Sequence, residues 1–274
     1  MKTNGNERSF SLMFRGCSFL QMYEAGVVKA LQELSPEILK SASKIYGISS
    51  GSIVAAFAVC ECDIGKGIEM QLRKYITNNC FALPLDELQQ YLYSAGKLFF
   101  SMVLTARGKV LRVVKDALNK FLPVNAHQLA SGKLHIILTR LRDWNSVTVS
   151  EFASKEDIIQ VRASQVWEGR LRVSCFLFQR YIDGEFGMRK ASYTSQTTIT
   201  VSALAGEYDI CPRDCPVAFF TVQITDWILQ ISEQNLYRIQ CLFQCPSEKL
   251  YHDGYQDAVS FLQRLSKWLG TKSR

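Results

Sequence analysis

The segment of this 274-residue chain best suited to covalent chemistry is a serine flanked by glycines, Gly47-Ile48-Ser49-Ser50-Gly51. The G-x-S-x-G pattern lies between a strand-like stretch, residues 44–46, and an apolar helix-like stretch, residues 53–60. In that setting Ser49 sits on a sharp turn, Gly47 and Gly51 let neighbouring backbone pass close by, and the following helix points its N-terminal amides at incoming negative charge. This nucleophile elbow is an arrangement for acyl transfer.

A serine nucleophile needs a base, an oxyanion hole and an apolar place for the acyl group. The chain has three histidines. His127 falls in a helix-like segment, His135 inside a strand and His252 just before the last helix, and none follows an acidic loop in the order Ser…Asp…His. All three read as structural. Asp183, in Tyr181-Ile182-Asp183-Gly184, closes an apolar segment and could reach the elbow from a neighbouring strand, although an Asp-Gly pair is also a common turn. Gly16-Cys17-Ser18, between a strand and a helix, offers backbone amides for an oxyanion.

The elements that must position these groups are legible from periodicity. Residues 9–14 alternate as a strand, residues 19–34 carry helical spacing, and Ser35-Pro36 stops them. A second strand, the elbow and a second helix follow, so that the order is β-turn-α twice over, the pattern of a parallel sheet with covering helices. Residues 65–122 look mainly helical, with an amphipathic basic helix over 108–122. Strands are expected over 134–139, 146–149 and 197–202, and helices over 156–165 and 255–269. No internal repeat or linker appears; a single domain over 9–270 is expected after a polar segment, 1–8.

Composition narrows the class. Hydrophobic content of 47% with 21% charged residues excludes a mainly disordered chain, and the net charge of +7 suits an anionic membrane surface. No nucleic-acid motif is present. The nine cysteines are scattered, several in apolar runs, as expected of buried thiols in a reducing, cytoplasmic setting. Cys211/Cys215 and Cys241/Cys245 approach metal-ligand spacing but lack neighbouring histidines, so no metal and no cofactor is expected. No window has the length and apolarity of a membrane span.

Several unrelated segments, in order, resemble one family. Phe14-x-Gly16-Cys17-x-Phe19-Leu20, Gly26, Tyr46-Gly47-Ile48-Ser49-Ser50-Gly51-Ser52 and Tyr181-Ile182-Asp183-Gly184 resemble the patatin-like phospholipase domain. Leu122-Pro123-x-x-Ala126-His127, Gly132-Lys133-Leu134 and Gly206-Glu207-Tyr208-Asp209-Ile210-Cys211-Pro212 are similar to its animal branch, with adipose triglyceride lipase and adiponutrin. Cys215-Pro216 and Gly254-Tyr255-x-Asp257-Ala258 look closest to the epidermal acylceramide-forming member. The resemblance implies an α/β fold of three layers, α/β/α, with a mainly parallel central sheet. It implies a Ser-Asp dyad without histidine, Ser49 as nucleophile and Asp183 as base, with the Gly16, Cys17 and Ser18 backbone as oxyanion hole. It also implies lipid acyl hydrolysis or transacylation at droplet or membrane surfaces, where the protein would be peripheral, and a co-activator protein of α/β-hydrolase type as partner.

The chain departs from that pattern in three places. Ser18 stands where the family has glycine and Gln21 where it has a small residue; a side chain there is expected to oppose φ > 0 or crowd the acyl group. Glu185 follows Asp183-Gly184 where the family has Gly or Ala, and is expected to oppose ionisation of Asp183 or to clash with it. The segment before Asp183 lacks the family's proline and carries Arg170, Arg172 and Arg180. These departures motivate the alternative of a catalytically impaired paralogue that binds lipid surfaces or a shared co-activator.

Overall fold

The computed structural model describes residues 9–67, 70, 73, 107–166, 169–170, 180–187, 197–214, 220–224, 227–242 and 248–272. Four short, apolar strands make the centre: β1 (Ser11–Phe14), β2 (Lys44–Ile48), β3 (Leu134–Arg140) and, in chain order after three others, β7 (Thr198–Val201). They run parallel in the order β7-β1-β2-β3. Antiparallel strands lie outside this block: β4 (Asn145–Val149) and β6 (Arg180–Asp183) pair with β3, and β5 (Gly169–Arg170) pairs with β6.

Both faces of β1 and β3 are buried, as interior strands of a parallel sheet require. Leu12, Phe14, Ile45, Ile136 and Leu138 belong to the main core, while Met13, Ile48 and Ile137 form a second cluster on the other face. The alternation is the period-two signature of a strand with apolar residues on each side. The main core is filled by α1 (Gln21–Leu34) and α3 (Gly51–Val59), with α2 (Pro36–Ser41) between α1 and β2. Every residue of α3 is buried, which accounts for its uniformly apolar sequence.

Further along, α4 (Arg107–Phe121), α5 (Ala126–Ala130) and α6 (Lys155–Val166) precede and follow β3 and β4. A hairpin, β8 (Thr221–Ile224) and β9 (Trp227–Gln230), leads into α7 (Glu233–Cys241) and the long α8 (Glu248–Lys272). Ser232 caps α7 by accepting from the Asn235 amide. The hairpin and α7 have no counterpart in the sequence-based expectations. The last helix begins well before its expected start at 255, because the apolar face of Leu250 and Tyr251 extends the same stripe. Much of the expected helical region over 65–122, and the proline-free segment around Arg172, lie outside the described residues.

α8 lies along α1 with two glycines at the crossing. A Cβ on Gly26 would stand 2.0 Å from the Tyr251 carbonyl oxygen, and a Cβ on Gly254 2.0 Å from that of Tyr23. The backbones therefore touch, and Tyr23 Oη donates to Asp257 Oδ2 at 2.8 Å and Tyr255 Oη to Glu33 Oε2 at 2.9 Å on either side of the contact. No helix among the described residues is long and apolar enough to cross a membrane.

Candidate active site

The β3 ladders decide where Ser49 and Asp183 stand. β2 pairs with β3 up to Ile48↔Ile137, and β6 pairs with it over Leu138↔Asp183 to Arg140↔Tyr181. β4 covers β3 from Ile136 to Arg140 and so overlaps both. A strand has only two hydrogen-bonding edges. β2 and β6 must therefore share one edge of β3, with β4 on the other. The C-terminal ends of β2 and β6 meet at adjacent register positions, which brings Asp183 beside the turn that begins at Ser49.

Ser49 turns the chain from β2 into α3 at φ 50°, in the left-handed region that costs a non-glycine residue energy. Two glycines permit the turn. A Cβ on Gly47 would lie 2.4 Å from Ser52 Cα, and one on Gly51 2.5 and 2.6 Å from the Phe14 and Arg15 carbonyl oxygens. The end of β2, the start of α3 and the end of β1 are thus packed backbone against backbone. The Ser49 carbonyl accepts from the Ser52 amide at 3.0 Å and the Ser52 hydroxyl at 2.6 Å. The Ser49 hydroxyl makes no hydrogen bond among the described residues.

Asp183 closes β6 and starts a single 3-10 turn, Gly184–Phe186, whose Glu185 amide donates to Asp183 Oδ1 at 3.0 Å. It is both strand end and turn. Gly184 is required because a Cβ there would lie 2.2 Å from the Ile137 carbonyl oxygen. The buried Thr139 hydroxyl donates to the Asp183 carbonyl and accepts from the Gly187 amide, both at 2.8 Å. The turn is thereby fastened to β3 at both ends.

The loop after β1 does not present three free amides. Gly16 donates to Glu185 Oε1 at 2.7 Å, and Cys17 donates to Ser50 Oγ at 2.9 Å. Ser18 takes φ 47°, so serine accepts the left-handed conformation it was expected to oppose; its amide makes no hydrogen bond among the described residues. Gln21 is buried, with Oε1 unpartnered among the described residues.

Glu185 is the feature whose role differs most from expectation. Its carboxylate does not clash with its surroundings. Oε2 accepts from Arg15 Nη2 at 2.7 Å and from Trp227 Nε1 at 2.6 Å. The Arg15 and Glu185 side chains are 4% and 13% exposed, a degree of burial at which an ion pair is far less screened than at the surface. The guanidinium also lies 5.7 Å from the Trp227 ring centroid and 6.0 Å from that of Tyr208. Burial pushes the Tyr208 phenol up to about 12. Arg15 and Trp227 were missed at the level of sequence. The available signal was an arginine placed directly between an apolar strand and Gly16.

Beneath this loop Glu24 is fully buried, and among the described residues neither carboxylate oxygen has a partner at ordinary hydrogen-bond geometry, the Cys17 thiol being the polar side chain beside it. Desolvation raises its pKa well above the ordinary carboxylate range, and the Glu185 charge adds to the rise. The folded chain therefore binds a proton that the unfolded chain releases. The associated stability is complete below the unfolded value of 4.5 and is lost as pH rises through the folded pKa. Glu24→Gln should remove up to about 1.4 kcal/mol of that loss per pH unit. In denaturant titrations the variant is expected to be more stable than the wild type at pH 8 but not at pH 4.

The histidines stand apart from this chemistry. His135 pairs with Tyr46 across β2 and β3, its ring 5.1 Å from the tyrosine ring, and Lys133 O lies 3.2 Å from Nδ1. Burial lowers its pKa. His127 lies in α5 and His252 in α8. Cys17, Cys60, Cys62, Cys211 and Cys241 are free thiols; Cys215 and Cys245 lie outside the described residues. No group of three or more potential ligands able to hold a metal occurs among the described residues.

Comparison with known proteins gives the arrangement a family. No family model matches the chain. The omega-hydroxyceramide transacylase of Mus musculus is 34% identical over 273 residues, covering 93% of this chain and 41% of the relative. The 1-acylglycerol-3-phosphate O-acyltransferase Pnpla3 of Mus musculus is 34% identical over 94% of the chain and 60% of its own length. The human patatin-like phospholipase domain-containing protein 2 is 32% identical over 94% of the chain and 49% of its own length. The chain thus spans about half the length of the curated relatives it matches. With similarity across nearly the whole chain and a mixed α/β fold around a parallel sheet, the chain belongs to the patatin-like phospholipase family.

Proposed function

We propose that the chain is a lipid acyl hydrolase or transacylase acting on acylglycerols or related lipid esters. In the first step Ser49 Oγ bonds to the acyl carbon while Asp183 takes the hydroxyl proton. The carbon–oxygen bond to the alcohol breaks, and the alcohol leaves with that proton. In the second step water or another alcohol attacks the acyl-serine, giving up its proton to Asp183, and Ser49 is released with its proton restored. The single observation that supports this most is the shared edge of β3, which sets Asp183 beside the strained turn at Ser49. Exposed apolar side chains just before the hairpin and on α7, among them Phe220, Leu236 and Tyr237, are suited to contact with a lipid surface.

The test is labelling of the purified chain with a fluorophosphonate. The wild type is expected to be labelled, and Ser49→Ala is expected to lose the label completely; label that survives in the variant, or none in the wild type, sinks the serine mechanism. A second function, as an impaired paralogue that binds lipid surfaces or a co-activator without turning substrate over, draws on one observation: the Gly16 amide is already bonded to Glu185. A wild type that does not label but still floats with lipid vesicles would favour it.

A further inference from the structure

The groups around Glu185 make up a carboxylate-binding site at the serine. Three donors from two parts of the chain converge on it: the Arg15 guanidinium and the adjacent Gly16 amide after β1, and the Trp227 indole of the β8–β9 hairpin. Charge-assisted bonds of 2.6–2.7 Å are the strong kind. The site also adjoins the nucleophile. A Cβ built on Gly16 would lie 2.9 Å from Ser49 Cβ and 3.1 Å from both Cγ and Oε1 of Glu185. Serine and carboxylate therefore flank the same glycine.

An ester attacked by Ser49 develops a negative oxygen that needs backbone amides. One of the amides in the candidate oxyanion loop is engaged by a carboxylate oxygen, and Cys17 is bonded to Ser50. We propose that Glu185 is an internal carboxylate ligand of the oxyanion site, occupying the position of the developing oxyanion, so that esters react at Ser49 only after Glu185 has left. The same donors then take a free carboxylate, the chemical class of a fatty-acid product. Glu185 is carried on the turn that Asp183 caps, so its departure shifts the segment that holds the base. The inference rests on the serine mechanism proposed above, and extends it by naming what the oxyanion site binds at rest.

The experiment uses the full chain as wild type, Glu185→Ala and Glu185→Gln, each with its Ser49→Ala control. Fluorophosphonate labelling of Glu185→Ala is expected to be at least about tenfold faster than wild type, with the ~10²–10³ that one oxyanion donor contributes as its upper bound. Glu185→Gln keeps the side-chain size if the alanine variant fails to fold, and is also expected to be faster, because its amide N–H groups would face the Arg15 and Trp227 donors. A second readout follows the Gly16 amide and Trp227 indole resonances during titration with sodium acetate. Both are expected to shift saturably in Glu185→Ala and to remain fixed in the wild type. Ser49-dependent labelling at equal rates in wild type and variants overturns the inference and leaves the serine mechanism standing. Absence of labelling in every chain removes the serine mechanism alone. The acetate titration then decides: a saturable shift supports the carboxylate site, and no shift overturns it.

Discussion

Gly26→Ala is expected to lower the stability of the fold by about 3 kcal/mol or more, the upper end of what overpacking costs. The added methyl would lie 2.0 Å from the Tyr251 carbonyl oxygen and 2.9 Å from the Tyr255 nitrogen. Both are backbone atoms of α8, so no rotamer change relieves the contact; the helix must move. Moving it strains the Tyr23–Asp257 and Tyr255–Glu33 hydrogen bonds and opens the seam over the fully buried Ala258. The roughly 1 kcal/mol that alanine gains over glycine in helix propensity does not offset this. At roughly 2–4 °C per kcal/mol for a domain of this size, thermal unfolding by circular dichroism should show a fall on the order of 10 °C. Gly254→Ala, with its methyl 2.0 Å from the Tyr23 carbonyl oxygen, should behave alike. Gly65→Ala is the control: among the described residues the nearest atom to its Cβ is Asp63 Oδ1 at 3.5 Å, and it should leave the melting temperature unchanged or slightly raised. An unchanged melting temperature for Gly26→Ala would show that the crossing is looser than described.

Gly51→Ala is expected to disable the site as well as the packing. Its methyl would meet the Phe14 and Arg15 carbonyl oxygens at 2.5 and 2.6 Å, forcing the end of β1 away from the elbow. Arg15, Gly16 and Cys17 follow directly. Their bonds to Glu185 and Ser50 define the loop beside the serine, and misplacement of about 1 Å is enough to cost ~10²-fold in rate. Labelling of Ser49 should fall at least about a hundredfold, with a stability loss of about 1–3 kcal/mol. A variant that keeps its labelling rate would show that this contact does not set the geometry of the site.

Much of the site's framework was legible because it is made of local signals. The alternation of residues 9–14, the glycines around Ser49 and the apolar run after it announce β1, the elbow and α3. Asp183 at a strand end was legible for the same reason. The part that stayed hidden depends on contacts remote in sequence. Glu185 could be seen as a carboxylate out of place, but its partners Arg15 and Trp227 lie 170 and 42 residues away, and no local pattern joins them. The β8–β9 hairpin and α7 were missed because their polar-apolar mixture is weak; what fixes α7 is its Ser232 cap and the Arg238–Asp214 ion pair. At Ser18 the residue type alone does not reveal the backbone conformation, φ 47°, because the surrounding loop and not the side chain sets it.

The common edge of β3 separates spacing in three dimensions from spacing along the chain. Serine and aspartate are gauged from consecutive residues of one strand, Ile137 and Leu138, so insertions or deletions between β2 and β3, or between β4 and β6, leave their separation untouched. The opposite holds for a slip of β6 by a single residue, which would send the aspartate to the other face of the sheet. Drift in the chain lengths around this strand is thus tolerated, whereas drift in its hydrogen-bond register is not.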